Sequence, residues 1–219
     1  MVPVAGVDGC RGGWVVVHDN GAVVCTSFAD VLGVLPDDTV VAIDIPIGLA
    51  DRYEGGGREC DRLARARLGP VRGSSVFPAP PRPALAARSL EAARALGWPA
   101  TKQVLNIAAK IKQVDRVMTP HLQARVFEVH PELGFATLND GRPVMSKKRL
   151  RAGRDERWAL LEKAGCTSPE RPRSGEAEDD LLDACAAAWS ASRIARGSGE
   201  CLPLDAPHDR RGLRMEIRW

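Results

Sequence analysis

Val4-Ala5-Gly6-Val7-Asp8-Gly9-Cys10-Arg11-Gly12-Gly13-Trp14-Val15-Val16-Val17 is the stretch whose chemistry decides the fold. An apolar run carries one carboxylate, passes through a glycine-rich turn and returns as a second apolar run. That pattern predicts a β-hairpin with its turn in the Gly-x-x-Gly-Gly segment. Asp8 is the odd residue, because aspartate is disfavoured in strands and a buried carboxylate is costly unless a donor or a cation meets it. Asp8 is either satisfied by backbone N–H groups of the turn, as Asp before Gly commonly is, or aimed at a ligand.

Outward from this hairpin, residues 3–9, 13–18 and 22–28 are expected as three short strands, with Asp19-Asn20-Gly21 as the hairpin signal between the last two. Residues 28–35 predict a short helix, closed by Pro36-Asp37-Asp38. Thr39-Val40-Val41-Ala42-Ile43-Asp44-Ile45-Pro46-Ile47-Gly48 is the continuous apolar run of a strand covered on both faces. Asp44 stands at its end, and Pro46 stops further ladder pairing. Asp44 either fixes a turn or presents its carboxylate where an open α/β sheet builds its site.

Residues 51–70 are charged with a helical pattern, carrying Cys60, Leu63, Ala64 and Leu68 on one side. After Gly69-Pro70, the prolines of 72–83 force a stiff, extended loop. Its Arg72, Ser74, Ser75 and Arg82 are donors suited to phosphate, with plain rigidity as the other role open to the loop. Residues 84–97 and 101–118 predict two further helices. In the second, Val104, Ile107, Ala108, Ile111 and Val114 recur at helical spacing, while Lys102, Lys110 and Lys112 are expected to be solvated. Residues 51–122 thus form an expected helical insertion within a single domain spanning 1–219.

Residues 124–130 predict another strand, ended by Pro131-Glu132, in which alternation puts Val126, Glu128 and His130 on one face. His130 is expected as a hydrogen-bonding strand-end histidine, with metal ligand or proton carrier as alternatives. Residues 146–165 hold Lys147, Lys148, Arg149, Arg151, Arg154 and Arg157, the most basic segment, either a solvated helix face or a binding surface. Residues 167–178 predict a polar loop. Alanine richness then makes a helix from Glu178 through Trp189. Asp180 and Asp183 share one of its faces; a first-turn capping role accounts for Asp179 and is open to Asp180, while Asp183 sits deeper and is less readily explained that way. Met215-Glu216-Ile217 is expected as an edge strand.

With 44% hydrophobic residues in 219 and a net charge of +3, the chain can bury a sizeable core and permits a polyanionic partner without demanding one. The cysteines at 10, 25, 60, 166, 185 and 201 form no C-x-x-C motif, so neither a zinc site nor a disulfide framework is expected. No apolar run approaches membrane-spanning length, and a cytoplasmic protein without membrane partners is expected.

The acids at 8, 44, 128 and 180/183 come from three strand-like runs and one helix. If they converge, they cannot all ionise without cations, and hard oxygen ligands select Mg²⁺ or Mn²⁺. The order β-β-β-α-β-α-β-α resembles the ribonuclease H-like fold, a mixed α/β sheet with an antiparallel three-strand meander plus parallel strands, flanked by helices. Gly6–Trp14, Ile43–Gly48, Arg58-Glu59-Cys60-Asp61, Ser74–Pro78, Glu128–Glu132, Ser146-Lys147-Lys148 and Asp180-Leu181-Leu182-Asp183-Ala184 resemble domain-of-unknown-function family 429 over nearly the whole chain. That resemblance implies a predicted nuclease. The opening strand and the Asp180-x-x-Asp183-Ala helix also resemble Holliday-junction resolvases, where a glutamate stands in place of Asp44.

The expected activity is metal-dependent phosphodiester hydrolysis of nucleic acid, the substrate being DNA, RNA or a small nucleotide. Asp8, Asp44, Asp180 and Asp183 are the candidate metal ligands, Glu128 a fourth ligand or base, and Lys148 or Arg72 the group that steadies a phosphate. Arg11, Ser74, Ser75 and Lys147 complete the candidate substrate-binding set. A nucleotide phosphohydrolase or kinase-like enzyme on the same fold is one alternative, although the glycine turn lacks a P-loop lysine. A non-catalytic module that binds nucleic acid or a nucleotide through 146–157 is another.

Overall fold

Valine-rich runs separated by glycine turns build the first half of the sheet. β1 (Val4–Cys10) turns at Arg11-Gly12 into β2 (Gly13–His18), and β3 (Gly21–Cys25) completes an antiparallel meander. The computed structural model describes residues 2–19, 21–166, 169 and 175–219, so Asn20 of the hairpin turn and 167, 168 and 170–174 of the expected polar loop lie outside the described residues. α1 (Phe28–Val34) follows, closed at its start by a reciprocal Ser27–Asp30 capping box. β4 (Val40–Ile43) then pairs parallel to β1, and β5 (Val126–Glu128) parallel to β4. The sheet order is β3-β2-β1-β4-β5, a mixed antiparallel and parallel sheet with helices on both faces, consistent with a ribonuclease H-like fold.

Between β4 and β5 the chain forms α2 (Glu59–Arg72), α3 (Leu90–Ala95) and α4 (Lys102–Val117). α2 starts later than the charge pattern of 51–70 predicts, because Gly56 and Gly57 hold positive φ in the turns before it. It bends at Gly69, also at positive φ, ahead of Pro70. Residues 84–97 are helical only in part, since a 3₁₀ turn at Arg82–Ala86 precedes α3. α5 (Pro131–Leu138) begins where only a strand end was expected. Pro131 occupies its first position, and Nδ1 of His130 accepts a hydrogen bond from the Glu132 N–H, capping it. α6 (Arg151–Lys163) and α7 (Gly175–Ala195) complete the helices in chain order. β6 (Cys201–Leu202) and β7 (Ile217–Arg218) form a separate two-stranded ribbon.

Strand alternation sorts the core into two layers. Ala5, Val7, Val41, Ile43 and Val126 pack with Phe28 and Val31 of α1 and Ile111 and Val114 of α4. Val15 and Val17 pack on the opposite face against Leu181, Leu182 and Ala184 of α7, and Ala42 meets Ala187 and Ala191 there. Gly6, Asp8 and Asp44 follow the parity of the α7 face. Gly6 lets α7 lie almost against the backbone of β1, since a Cβ there would stand 2.0 Å from the Ala184 carbonyl oxygen. That close approach brings the acids of α7 to the acids of the sheet.

Candidate active site

Parallel pairing of β1 with β4 sets Asp8 and Asp44 side by side, because Val7 lies opposite Ile43 and the Asp44 N–H donates to the Val7 carbonyl at 3.0 Å. Asp183, buried on α7, faces the same space. Lys148, from the segment before α6, reaches in and donates from Nζ to Asp183. Asp8 Oδ1 accepts from the Gly9 N–H at 2.6 Å, so the local turn satisfaction read from the sequence is real. It does not use up the carboxylate, because Asp8, Asp44, Asp183 and Lys148 all line one cavity of about 680 Å³. His130, Glu132, Ser74 and Ser75 line it too. Asp180 does not, though its charge contributes to the field at Asp8.

The electrostatics follow from crowding like charges in a desolvated place. Burial, then Asp44 and Asp183, hold the Asp8 carboxyl well above its ordinary value, with Lys148 opposing. Burial likewise pushes Asp44 up to about 6, with His130 and Lys148 lowering it and Asp183 and Glu132 raising it. Burial would lower Lys148, but Asp183, Asp8 and Asp44 outweigh it and hold the ammonium well above its ordinary range.

A pH dependence follows for the metal-free protein. A carboxyl raised in the folded state binds protons more readily there than when unfolded, so its stability contribution is complete below the ordinary value of 3.8 and is lost as pH rises through about 6. Asp44→Asn removes that loss. The variant should therefore gain on the wild type by about 3 kcal/mol as pH rises across this window, measured by urea unfolding in the presence of a chelator. A difference that stays flat with pH would show that Asp44 is not held protonated by its surroundings.

Several expected site residues lie elsewhere. Glu128 is not part of the acid cluster. It stands opposite Ile43 in the β4–β5 register, which gives it the parity of the α1–α4 face, whereas Asp44 follows Ile43 by one residue and turns to the α7 face. Both Glu128 oxygens are bound inside the protein. Arg58 Nη2 donates to Oε1 at 2.6 Å, and Arg58 Nη1 and the Ile47 N–H donate to Oε2 at 2.8 and 2.6 Å.

Arg72 does not line the cavity, and its guanidinium is bonded to the carbonyls of Val144, Met145 and Ser146. Arg82 is paired with Asp115 and Asp209. Ser75 donates to the Arg72 carbonyl at 2.7 Å, while Ser74 is exposed at the cavity wall. Arg11 and Lys147 are exposed and do not line the cavity. The basic segment is largely engaged too. Arg154 pairs with Glu178, and fully buried Arg157 with Glu132.

Two contributors escaped the sequence pattern. Lys110, expected to be solvated, donates to the carbonyls of Cys10 and Gly13, lies over the Trp14 ring and lines the cavity. Arg58 braces the turn after Asp44 through the Ile47 and Gly48 carbonyls and bonds Asp61. Its only sequence signal is its place in Arg58-Glu59-Cys60-Asp61, where an arginine and an acid three apart begin a helix.

Among the described residues, no three His, Cys, Asp or Glu side chains already stand around a metal position, and Lys148 supplies the cation that Asp183 meets. The donor set nevertheless fits a hard divalent ion. Asp8, Asp44 and Asp183 share the cavity with the Lys148 ammonium; burial raises both Asp8 and Asp44, and Asp183 raises each of them further.

The sheet and this pocket define an α/β protein with a carboxylate cluster at the carboxyl ends of its central parallel strands. The chain belongs to the family described as protein of unknown function (DUF429), whose model matches residues 6–208. No curated protein and no solved structure matches it. No helix among the described residues is long and apolar enough to cross a membrane.

Proposed function

We propose that this protein is a divalent-metal-dependent hydrolase that cleaves phosphodiester bonds of nucleic acid. The observation that supports this most is the convergence of Asp8, Asp44 and Asp183, from two strands and a helix, on one cavity, with Lys148 bonded to Asp183 among them. Asp8, Asp44 and Asp183 would hold Mg²⁺ or Mn²⁺, which when bound activates a water and stabilises the leaving oxygen. Lys148, which donates to Asp183 and lines the same cavity, would offer its ammonium to a phosphate oxygen there. The Ser74 hydroxyl offers a further donor on the same wall. Glu128 has no part in the chemistry. The non-catalytic alternative is weakened because Arg154 and Arg157, which it needs for binding, are committed to Glu178 and Glu132. A reducing cytoplasm suits its free thiols.

The test is a panel of single-stranded, duplex, hybrid and branched substrates with Mn²⁺ and with chelator. Wild type should cut at least one substrate with metal and none without. Asp44→Asn should still bind that substrate but turn over at least ~100-fold more slowly, because a ligand to charge that develops in the transition state acts on kcat. Cleavage undiminished in Asp44→Asn, or unaffected by chelator, would overturn the proposal.

A further inference from the structure

The cavity that holds the acids is also lined by residues of a different chemistry. Half-buried Phe77, Pro78 and Ile107 and exposed Pro99 line the same space as Asp8 and Asp44. Phe77 and Pro78 belong to the proline-stiffened loop, and Pro78 is fixed by its neighbour, since the Ala79 N–H donates to buried Asp61 at 2.9 Å. The apolar wall is therefore held in place and not a loop that collapses onto solvent. Arg65 and Lys110 also line the cavity, but both are tied to backbone carbonyls, Arg65 to Val76 and Gly56 and Lys110 to Cys10 and Gly13. These cations are not free to follow a long polyanion. The space, about 680 Å³, lies in the range of small-molecule sites.

From this juxtaposition of carboxylates with an apolar, aromatic-bearing wall, and resting on the hydrolase reading of the acids, we infer that the site takes a single nucleotide-sized unit. That unit is a free short oligonucleotide or a frayed single-stranded end. Its phosphodiester lies at Asp8, Asp44 and Asp183, and its nucleobase lies against Phe77, Pro78 and Ile107. Duplex length adds nothing to recognition. Sequence tolerance follows, because every base has an apolar face.

The experiment compares a dinucleotide carrying 2-aminopurine with a long duplex, at rising salt, in Mn²⁺. Binding is read by quenching of 2-aminopurine on Asp44→Asn protein and turnover on wild type. The dinucleotide should be cut, with an affinity that falls only shallowly with salt, unlike the steep loss expected of a protein that neutralises many phosphates. Phe77→Ala should raise its KM at least about fivefold, the lower end of what base–aromatic stacking contributes, with kcat changed less than twofold. Phe77→Leu, which keeps the packing volume but removes the ring, should share the defect and guards against a folding artefact. Cutting of the duplex alone with a steep salt dependence, or an unchanged KM in both Phe77 variants, would overturn this inference and leave the hydrolase standing. Quenching without cleavage of anything by wild type would overturn the hydrolase and leave the nucleotide pocket. Neither quenching nor cleavage would overturn both.

Discussion

Arg58→Met should lower folding stability by about 3–5 kcal/mol, the usual penalty for removing one partner of a buried ion pair. Arg58 is 5% exposed and joins three separate stretches of chain, at 47–48, 58–61 and 128. Its Nη1 donates to the carbonyls of Ile47 and Gly48 at 2.9 and 3.0 Å, its Nη2 meets Glu128 and Asp61, and its own N–H donates to Asp61 at 3.0 Å. Methionine fills similar volume but leaves two buried carboxylates facing each other. The loss should depend on pH in a definite direction. Burial already pushes Glu128 up to about 7, with Arg58 the main influence lowering it. Without Arg58 the carboxyl rises further, so the variant binds a proton on folding and is relatively better off in acid. Its deficit should shrink from pH 8 to pH 5, and Glu128→Gln added to it should restore part of the stability. A deficit under ~1 kcal/mol in urea unfolding would mean that the network is worth no more than a surface pair.

Gly6→Ala should be comparably severe, more than about 3 kcal/mol, beyond the usual cost of one added methyl in a core. The new Cβ would lie 2.0 Å from the Ala184 carbonyl oxygen and 2.1 Å from the Ala188 nitrogen, both backbone atoms of α7 that cannot swing aside. The helix must move off the strand, carrying Asp183 away from Asp8, so any surviving folded protein should also bind metal more weakly. Gly12→Ala is the control. Nothing lies within 4 Å of its Cβ position, and it should change stability by no more than about 0.5 kcal/mol. Equal effects of the two substitutions would show that β1 and α7 are not packed this closely.

The meander, the acid at the end of each central parallel strand and the alanine-rich helix were legible in the chain because each has a local signature. The hairpin glycines, the lone carboxylate in an apolar run and the alanine richness after Asp183 say what they do without reference to the rest of the fold. Glu128 was not legible. Its face depends on the β4–β5 register, and a one-residue offset moves a side chain to the other side of a sheet. The arginines resist placement from sequence for a related reason. Arg58, Arg72, Arg82 and Arg157 look like surface charges in sequence, but their partners at Glu128, the 144–146 carbonyls, Asp209 and Glu132 lie 25 to 127 residues away. Pro131-Glu132 carries a helix-start signal for α5, but the same proline equally marks the end of the strand before it.

Asp8, Asp44 and Asp183 are proposed to hold a divalent cation together. The most direct test is thermal unfolding of chelator-treated wild type and Asp8→Asn while Mn²⁺ is titrated in, because a ligand that binds only the folded state raises Tm by mass action. Wild type should gain Tm steadily with the logarithm of Mn²⁺ concentration. Asp8→Asn should start as stable as the wild type or more so, through relief of like-charge repulsion, and should not respond to the metal. A wild type whose Tm ignores Mn²⁺ and Mg²⁺ through the millimolar range, or a metal-free Asp8→Asn that is markedly less stable, would contradict the account.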